Sequence, residues 1–333
     1  MATKLCVVGG GAFGSAVAHR LTRSSLNFNV MLYVLEPHVA AGIEKDMVNP
    51  MIVPQVGDHR FLPNLSVTLD LATATDGASM IFYAIPGKFS NSFLGKNAHL
   101  LAHAPFINCS KGMVVVDGMI STMKAIAVSC GIKPEMYACI SGPTFAKSMF
   151  SLEEKILLSV ASDSEVLRNQ VAEVLSDRSV GITVYKSDDV VGQELCGALK
   201  NVVAIAAGLS CMSGASTQPG VIAILWNDCA TVIKAMDGGV EVHMNPPMFG
   251  DLIATCSTSS RNYTFGERVA KGEVASDVIA AMPSVEGYNS LPLLIRYCET
   301  VTSLQAEKRR FQAVLDCCEG RLAVEELVLI IID

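Results

Sequence analysis

Short apolar, β-branched runs alternate with helix-like stretches through the first half of the chain. KLCVV is followed by GSAVAHRLT, NVMLYVL by residues 38–48, MIFYAIP by 88–103 and PFINC by 117–130, and YACIS comes next. ILLSVAS and GITVYK read as two further strands of the same body. This alternation is the signature of a parallel sheet with crossover helices. After Tyr185 strand-like runs almost disappear, and residues 188–238, 263–281 and 285–332 read as helices punctuated by Pro and Gly breaks such as Asn-Pro-Pro. The pattern predicts an α/β fold with a mostly parallel sheet in an N-terminal domain, 1–187, followed by an all-helical C-terminal domain, 188–333.

Composition narrows the function classes. At 333 residues, half of them hydrophobic and 17% charged, the chain can bury a large core. A net charge of −7 without a basic stripe argues against nucleic acid as a partner. The eleven cysteines form no C-x-x-C pair and sit in apolar segments such as FINCS, which suits reduced, buried thiols. The N-terminus runs directly into a strand without the features of a signal peptide, and the terminal IID is not a peroxisomal tripeptide. A cytoplasmic setting is expected. Residues 195–215 form the longest weakly charged stretch, but a central lysine disfavours membrane insertion by roughly 2.5–3.5 kcal/mol, so no membrane span is expected.

Gly9-x-Gly11-x-x-Gly14 follows the first strand and opens a helix. One glycine makes a tight turn, one admits a pyrophosphate to the backbone, and one lets helix and strand pack closely. The helix N-terminus then offers N–H groups to phosphates. Glu36 lies 22 residues beyond Gly14 at the end of the NVMLYVLE strand. A ribose-binding acid would sit there, favouring NAD(H) over its 2′-phosphorylated counterpart.

A second constellation centres on CGALKNVVAIAAG, an apolar run holding Lys200 and Asn201. One reading is a buried helix whose lysine snorkels to water. The other is a confined proton donor, because Gly197, Ala198, Ala204, Ala206, Ala207 and Gly208 make the helix thin and let neighbouring backbones close in. Burial disfavours an ammonium and a nearby carboxylate restores it, a balance suited to proton transfer. CSKGM places Lys111 after a strand, SGPTFA supplies small residues in a loop, and GDLIATCSTSSRN brings Asp251, Thr255, Arg261 and Asn262 within a dozen residues. An anionic carbonyl substrate would need this set: a cation for phosphate, an acid for the carbonyl oxygen and a carboxylate to position the acid. His99 and His103 share a helix face without further ligands, so no metal is expected. Cys317–Cys318 reads as a buried pair, and Ser141 lacks the histidine of a hydrolase.

GGGAFGSAVA, YAIPGKF, CSKGM, SGPTFA, CGALKNVVAIAAG and GDLIATCSTSSRN, in this order, closely resemble the NAD-dependent glycerol-3-phosphate dehydrogenases. The resemblance implies a Rossmann-like N-terminal domain, a helical C-terminal domain, and a site using NAD(H) to reduce dihydroxyacetone phosphate reversibly to sn-glycerol 3-phosphate. By motif it implies Lys200 as general acid, Lys111 as a second cation at the carbonyl and the cofactor, and Asp251 as their orienting carboxylate. Asn201, Thr255, Arg261 and Asn262 would hold the substrate, with Arg261 also near the cofactor. Gly9, Gly11, Ala12, Phe13, Gly14, Phe89, Ala146 and Glu286 would surround the dinucleotide. Relatives of this kind are commonly homodimers.

The chain leaves the family pattern at three places. GASTQPGVIAILWNDCATVIKAM stands where relatives carry Asn, an Arg-Gly pair and a Glu; NPPMFGDL replaces a Gly-Leu-Gly-Asp entry; and LQAEKRRFQAV lacks a Pro-centred segment. Beside the dehydrogenase reading stand a related 3-hydroxyacid-type reductase and a catalytically weak dinucleotide-binding sensor.

Overall fold

The computed structural model describes residues 3–333 apart from Asp58, Asp117, Val240, Pro283, Ser284 and the side chain of Arg178. The chain divides into two compact units, the first comprising residues 1–111 and 123–190, the second 112–122 and 191–333.

The first unit is built on eight strands: β1 (Lys4–Val8), β2 (Asn29–Tyr33), β3 (Leu65–Thr68), β4 (Met80–Tyr83), β5 (Phe106–Asn108), β8 (Tyr137–Ser141), β9 (Ile156–Ala161) and β10 (Ile182–Ser187). Two more, β6 (Val114–Val116) and β7 (Met119–Ser121), form a separate antiparallel hairpin. The eight-stranded sheet runs β10-β9-β8-β5-β4-β1-β2-β3. Every pairing in it is parallel except β8 with β9, which pair antiparallel with Ile140 opposite Val160. β1 therefore sits between β2 and β4, where the strand order reverses, and the crevice outside that point is where such sheets bind ligands. Its residues Cys6, Val7 and Val8 are fully buried, as a central strand covered on both faces demands.

The second unit is a helical body with the β6–β7 hairpin added. The Val190–Leu209 helix lies at its centre, and an apolar cluster gathers around it from the helices Thr217–Ala235, Glu286–Thr300 and Gln305–Cys318. By length and composition that helix could cross a membrane, but 89% of its apolar window is buried inside the protein, as in a core helix.

Two sequence expectations need correction. Residues 117–130 do not form one helix: helix occupies only Met123–Ser129, and the hairpin strand β7 precedes it. Val114–Val116 and Met119–Ser121 flank an Asp-Gly pair, a strong hairpin signal, and Gly118 has φ +77, a conformation that suits glycine. Nor does one break near Ser187 separate the units. Ile120 of the hairpin packs into the helical unit's core and Gly118 lies against Arg296, so 112–122 belongs there and that unit is not wholly helical.

The divergent stretch 214–236 still forms a packed helix, Thr217–Ala235. Gln218 Nε2 donates to the carbonyl of Ala207 at 2.8 Å and to the Tyr263 hydroxyl at 3.2 Å, while Trp226 Nε1 donates to the carbonyl of His243. In this helix Asp228 is buried, with Oδ1 3.0 Å from Arg310 Nη1 and Oδ2 without a hydrogen-bond partner among the described residues. Burial pushes its carboxyl up to about 6, with Arg310 opposing and Glu307 adding to the rise. The folded chain therefore holds this proton more tightly than the unfolded chain. Its contribution to stability falls as pH rises from 3.8 to about 6 and stays low above. Asp228→Asn should accordingly melt above the wild type at neutral pH, with the advantage shrinking as pH falls towards 4. A pH-independent difference in thermal melts would show that the carboxyl does not titrate in that window.

Candidate active site

The glycine turn after β1 has a different steric reason at each position. Gly9 adopts φ +117, and a Cβ on it would stand 3.0 Å from the carbonyl oxygen of Ala84. A Cβ on Gly14 would collide with the Gly9 carbonyl, so helix Ala12–Thr22 can approach β1 only with glycine there. Gly10, absent from the spaced motif, is equally constrained, since a Cβ would lie 2.5 Å from Val34 Cγ1. Gly11 differs: a Cβ there would meet nothing within 4 Å. It caps the Ala12–Thr22 helix without a side-chain hydrogen bond, so backbone N–H groups face open space. That is a cradle shaped for a phosphate.

Gly9, Gly11, Ala12, Phe13, Glu36 and Phe89 line one cavity of about 680 Å³. Glu36, half-buried, is the N-cap of the Pro37–Asp46 helix beyond β2. Gly14 serves packing rather than the wall, and Ala146 packs against the unit's apolar core without lining this cavity. Lys111, at the end of the β5 loop, donates from Nζ to the carbonyl of Gly142 at 2.7 Å and to the Thr144 hydroxyl at 3.4 Å. It thereby ties CSKGM to SGPTFA, the loops following the neighbouring strands β5 and β8. Gly142 and Thr144 went unsingled in the sequence, although the SGPTFA motif contains both.

In the second unit Lys200 Nζ forms an ion pair with Asp251 Oδ2, both side chains buried at 7% and 5% exposure. Asp251 lies on the Pro246–Thr255 helix, where the Thr255 hydroxyl donates to its carbonyl at 2.6 Å. A polar chain runs beside the pair. The N–H of Gly287 donates to Asn262 Oδ1 at 2.9 Å, Asn262 Nδ2 to Asn201 Oδ1 at 3.1 Å, and Asn201 Nδ2 to Glu286 Oε2 at 3.4 Å. Asn262 thus satisfies an orphan N–H in the first turn of the Glu286–Thr300 helix and fixes which way the Asn201 amide points. Glu286, half-buried, also lies 3.4 Å from where a Cβ on Gly112 would be.

These contacts require thin helices, as the glycine and alanine content predicted. A Cβ on Gly208 would strike the carbonyl of Tyr263, and one on Gly266 the carbonyl of Ile205. The Val190–Leu209 and Arg261–Ala270 helices therefore touch backbone to backbone. Arg261 is exposed at the first position of its helix, whose N-cap Ser260 makes no side-chain cap bond. A guanidinium beside uncapped N–H groups is a site for an anion. Ser260 is buried there and escaped notice in the sequence, where it reads as one hydroxyl in a serine-rich loop. His103, considered for a metal, instead has Nε2 3.0 Å from the carbonyl of Thr75.

Family profiles described as NAD-dependent glycerol-3-phosphate dehydrogenase N-terminus and C-terminus match residues 4–167 and 189–329. A relative from Oryza sativa subsp. japonica, named as a chloroplastic glycerol-3-phosphate dehydrogenase [NAD(+)], is 30% identical over 308 residues. That match covers 88% of this chain and 66% of the rice protein. A Brucella ovis relative, named glycerol-3-phosphate dehydrogenase [NAD(P)+], is 29% identical over 98% of this chain and 96% of its own. The fold is shared with the crystal structure of glycerol-3-phosphate dehydrogenase from Coxiella burnetii, at a TM-score of 0.84 and 22% identity over 98% of both chains. The two profile matches take in nearly the whole sequence, and the chain belongs to the NAD-dependent glycerol-3-phosphate dehydrogenase family, whose members are NAD(P)-dependent oxidoreductases.

Proposed function

We propose that this chain catalyses the reversible reduction of dihydroxyacetone phosphate to sn-glycerol 3-phosphate with NADH. The observation that supports this most is the Lys200–Asp251 pair, an ammonium held by a carboxylate inside a helical core, next to the ordered amide of Asn201. Bound at the glycine turn, NADH would supply the hydride. Lys200 gives a proton to the carbonyl oxygen as negative charge develops there and takes it back in the reverse direction. Asp251 fixes the direction of the ammonium and balances its charge. Lys111 acts as the second cation. Arg261 and the uncapped helix start beside it take the phosphate, with Thr255, Asn201 and Asn262 shaping the substrate site. Glu36 accepts the adenosine ribose hydroxyls and favours NAD(H), while Phe13 and Phe89 complete the dinucleotide contacts in the same cavity.

We place the enzyme in the cytoplasm as a homodimer, supplying a product that joins carbohydrate to glycerophospholipid metabolism. Its eleven cysteines, none in a disulfide among the described residues, suit a reducing compartment, and light scattering would test the dimer. The reading as a whole is tested by following NADH oxidation on addition of dihydroxyacetone phosphate. NADH binding without turnover would favour the sensor instead.

Arg261→Ala should raise KM for dihydroxyacetone phosphate by about 10–100-fold, the range of a lost charge-assisted contact. Unphosphorylated dihydroxyacetone should be affected far less. Equal losses on both ketones would contradict a phosphate clamp.

A further inference from the structure

The cavity at the glycine turn has opposite charges in its wall. Glu36 contributes a carboxylate, and Lys96 an ammonium from the Gly87–Leu101 helix. On that helix Phe89, Phe93, Lys96 and Asn97 are spaced i, i+4, i+7 and i+8, one face, and all four line the cavity. The face is held by Phe93, whose ring centroid is 6.3 Å from Tyr33 at the end of β2 and 5.9 Å from Tyr83 at the end of β4. Glu36 follows Tyr33 by three residues. The Phe93 contact therefore braces the stretch of helix carrying Lys96 against the strand whose extension carries Glu36. Among the described residues, neither Lys96 nor Glu36 belongs to an ion pair.

A carboxylate at the end of the second strand accepts the 2′-hydroxyl of an adenosine ribose and repels a 2′-phosphate. An ammonium in the same wall does the reverse. Relatives differ in the same respect, one being named for NAD(+) and another for NAD(P)+. We infer that Lys96 is a cofactor-selecting residue, the cation that lets this cavity take a 2′-phosphorylated adenosine in spite of Glu36, so that the chain binds NADPH as well as NADH. The inference rests on the reading that this cavity holds the dinucleotide.

Two fragments without nicotinamide separate the claims: ADP-ribose and 2′-phospho-ADP-ribose, titrated by calorimetry into wild type, Lys96→Ala and Glu36→Gln. Lys96→Ala should weaken the 2′-phosphorylated fragment about fivefold, as expected for an exposed charge contact, and leave ADP-ribose nearly unchanged. The loss should shrink as salt is raised. Glu36→Gln should weaken ADP-ribose and strengthen the phosphorylated fragment. Equal weakening of both fragments by Lys96→Ala, no effect on either, or wild type that binds only ADP-ribose would each overturn the inference while leaving the dinucleotide cavity standing. Wild type that binds neither fragment would overturn both.

Discussion

Lys200→Ala should lower turnover of dihydroxyacetone phosphate by about 10²–10⁴-fold, the usual worth of a positioned general acid. NADH binding, read by fluorescence, should stay close to wild type, because the glycine turn and the cavity it lines belong to the other unit. The substitution also removes one partner of a buried ion pair, whose other member, Asp251, is 3% exposed. Breaking a buried pair by removing one partner costs about 3–5 kcal/mol, so the single variant should also melt earlier, and lost activity alone would be ambiguous. Lys200→Ala combined with Asp251→Asn resolves this. With neither charge buried, the double variant should regain much of the stability and none of the turnover, a coupling that thermal melts and kinetics measure together. Turnover returning with stability would make Lys200 a structural partner of Asp251 and nothing more.

The second large effect is expected from one methyl group. In Gly208→Ala the new Cβ would stand 2.7 Å from the backbone nitrogen of Glu267, 3.0 Å from Gly266 Cα, and closer still to the carbonyl of Tyr263. All three are backbone or the equivalent of it, so no flexible side chain can swing away. Overpacking of this kind costs about 1–3 kcal/mol and sometimes more, and here the upper end applies. Relief requires the Arg261–Ala270 helix to move outwards, which stretches the Asn262–Asn201 hydrogen bond and shifts Arg261. KM for the phosphorylated ketone should rise along with the loss in denaturant midpoint. Gly220→Ala is the control: its Cβ meets only Ile332 Cδ1 at 3.7 Å, and alanine suits a helix better than glycine, so it should be neutral or stabilising. If the two variants unfold alike, the backbone contact at Gly208 is looser than described.

Much of this was legible in the chain itself. Apolar β-branched runs mark the strands because a sheet covered on both faces leaves little room for polar residues. The glycine turn is legible because its positions are dictated by local sterics. CGALKNVVAIAAG announced its close neighbours because small residues have little other use in so apolar a helix. What escaped depends on partners distant in sequence. Nothing local to Asn262 indicates that it accepts from the Gly287 N–H, which lies 25 positions on in another helix. The antiparallel turn of β9 likewise depends on where β8 lies rather than on its own residues. The hairpin is a different case: Val-Val-Val, Asp-Gly and Met-Ile-Ser carry a local hairpin signal, which the strand-then-helix rhythm of the neighbouring segments masks. The break between Leu209 and Thr217 is of the legible kind, since Gly214 within it adopts φ +117, a conformation that suits glycine.

That hairpin has a consequence for how the protein is made. The strand β7 packs against the Glu286–Thr300 helix, so a segment synthesised early belongs to a body completed late. At about 5–20 residues per second on a ribosome, the apolar side of the hairpin waits roughly 10–30 s for its partner to emerge. During that interval Ile120, 5% exposed in the finished fold, has no core to enter. A gene cut after Ser187 would make the delay permanent: the amino-terminal fragment would carry an orphaned greasy loop, and the carboxy-terminal fragment would lack one of its own walls. A cut there would leave the hairpin and the helix it packs against in different polypeptides.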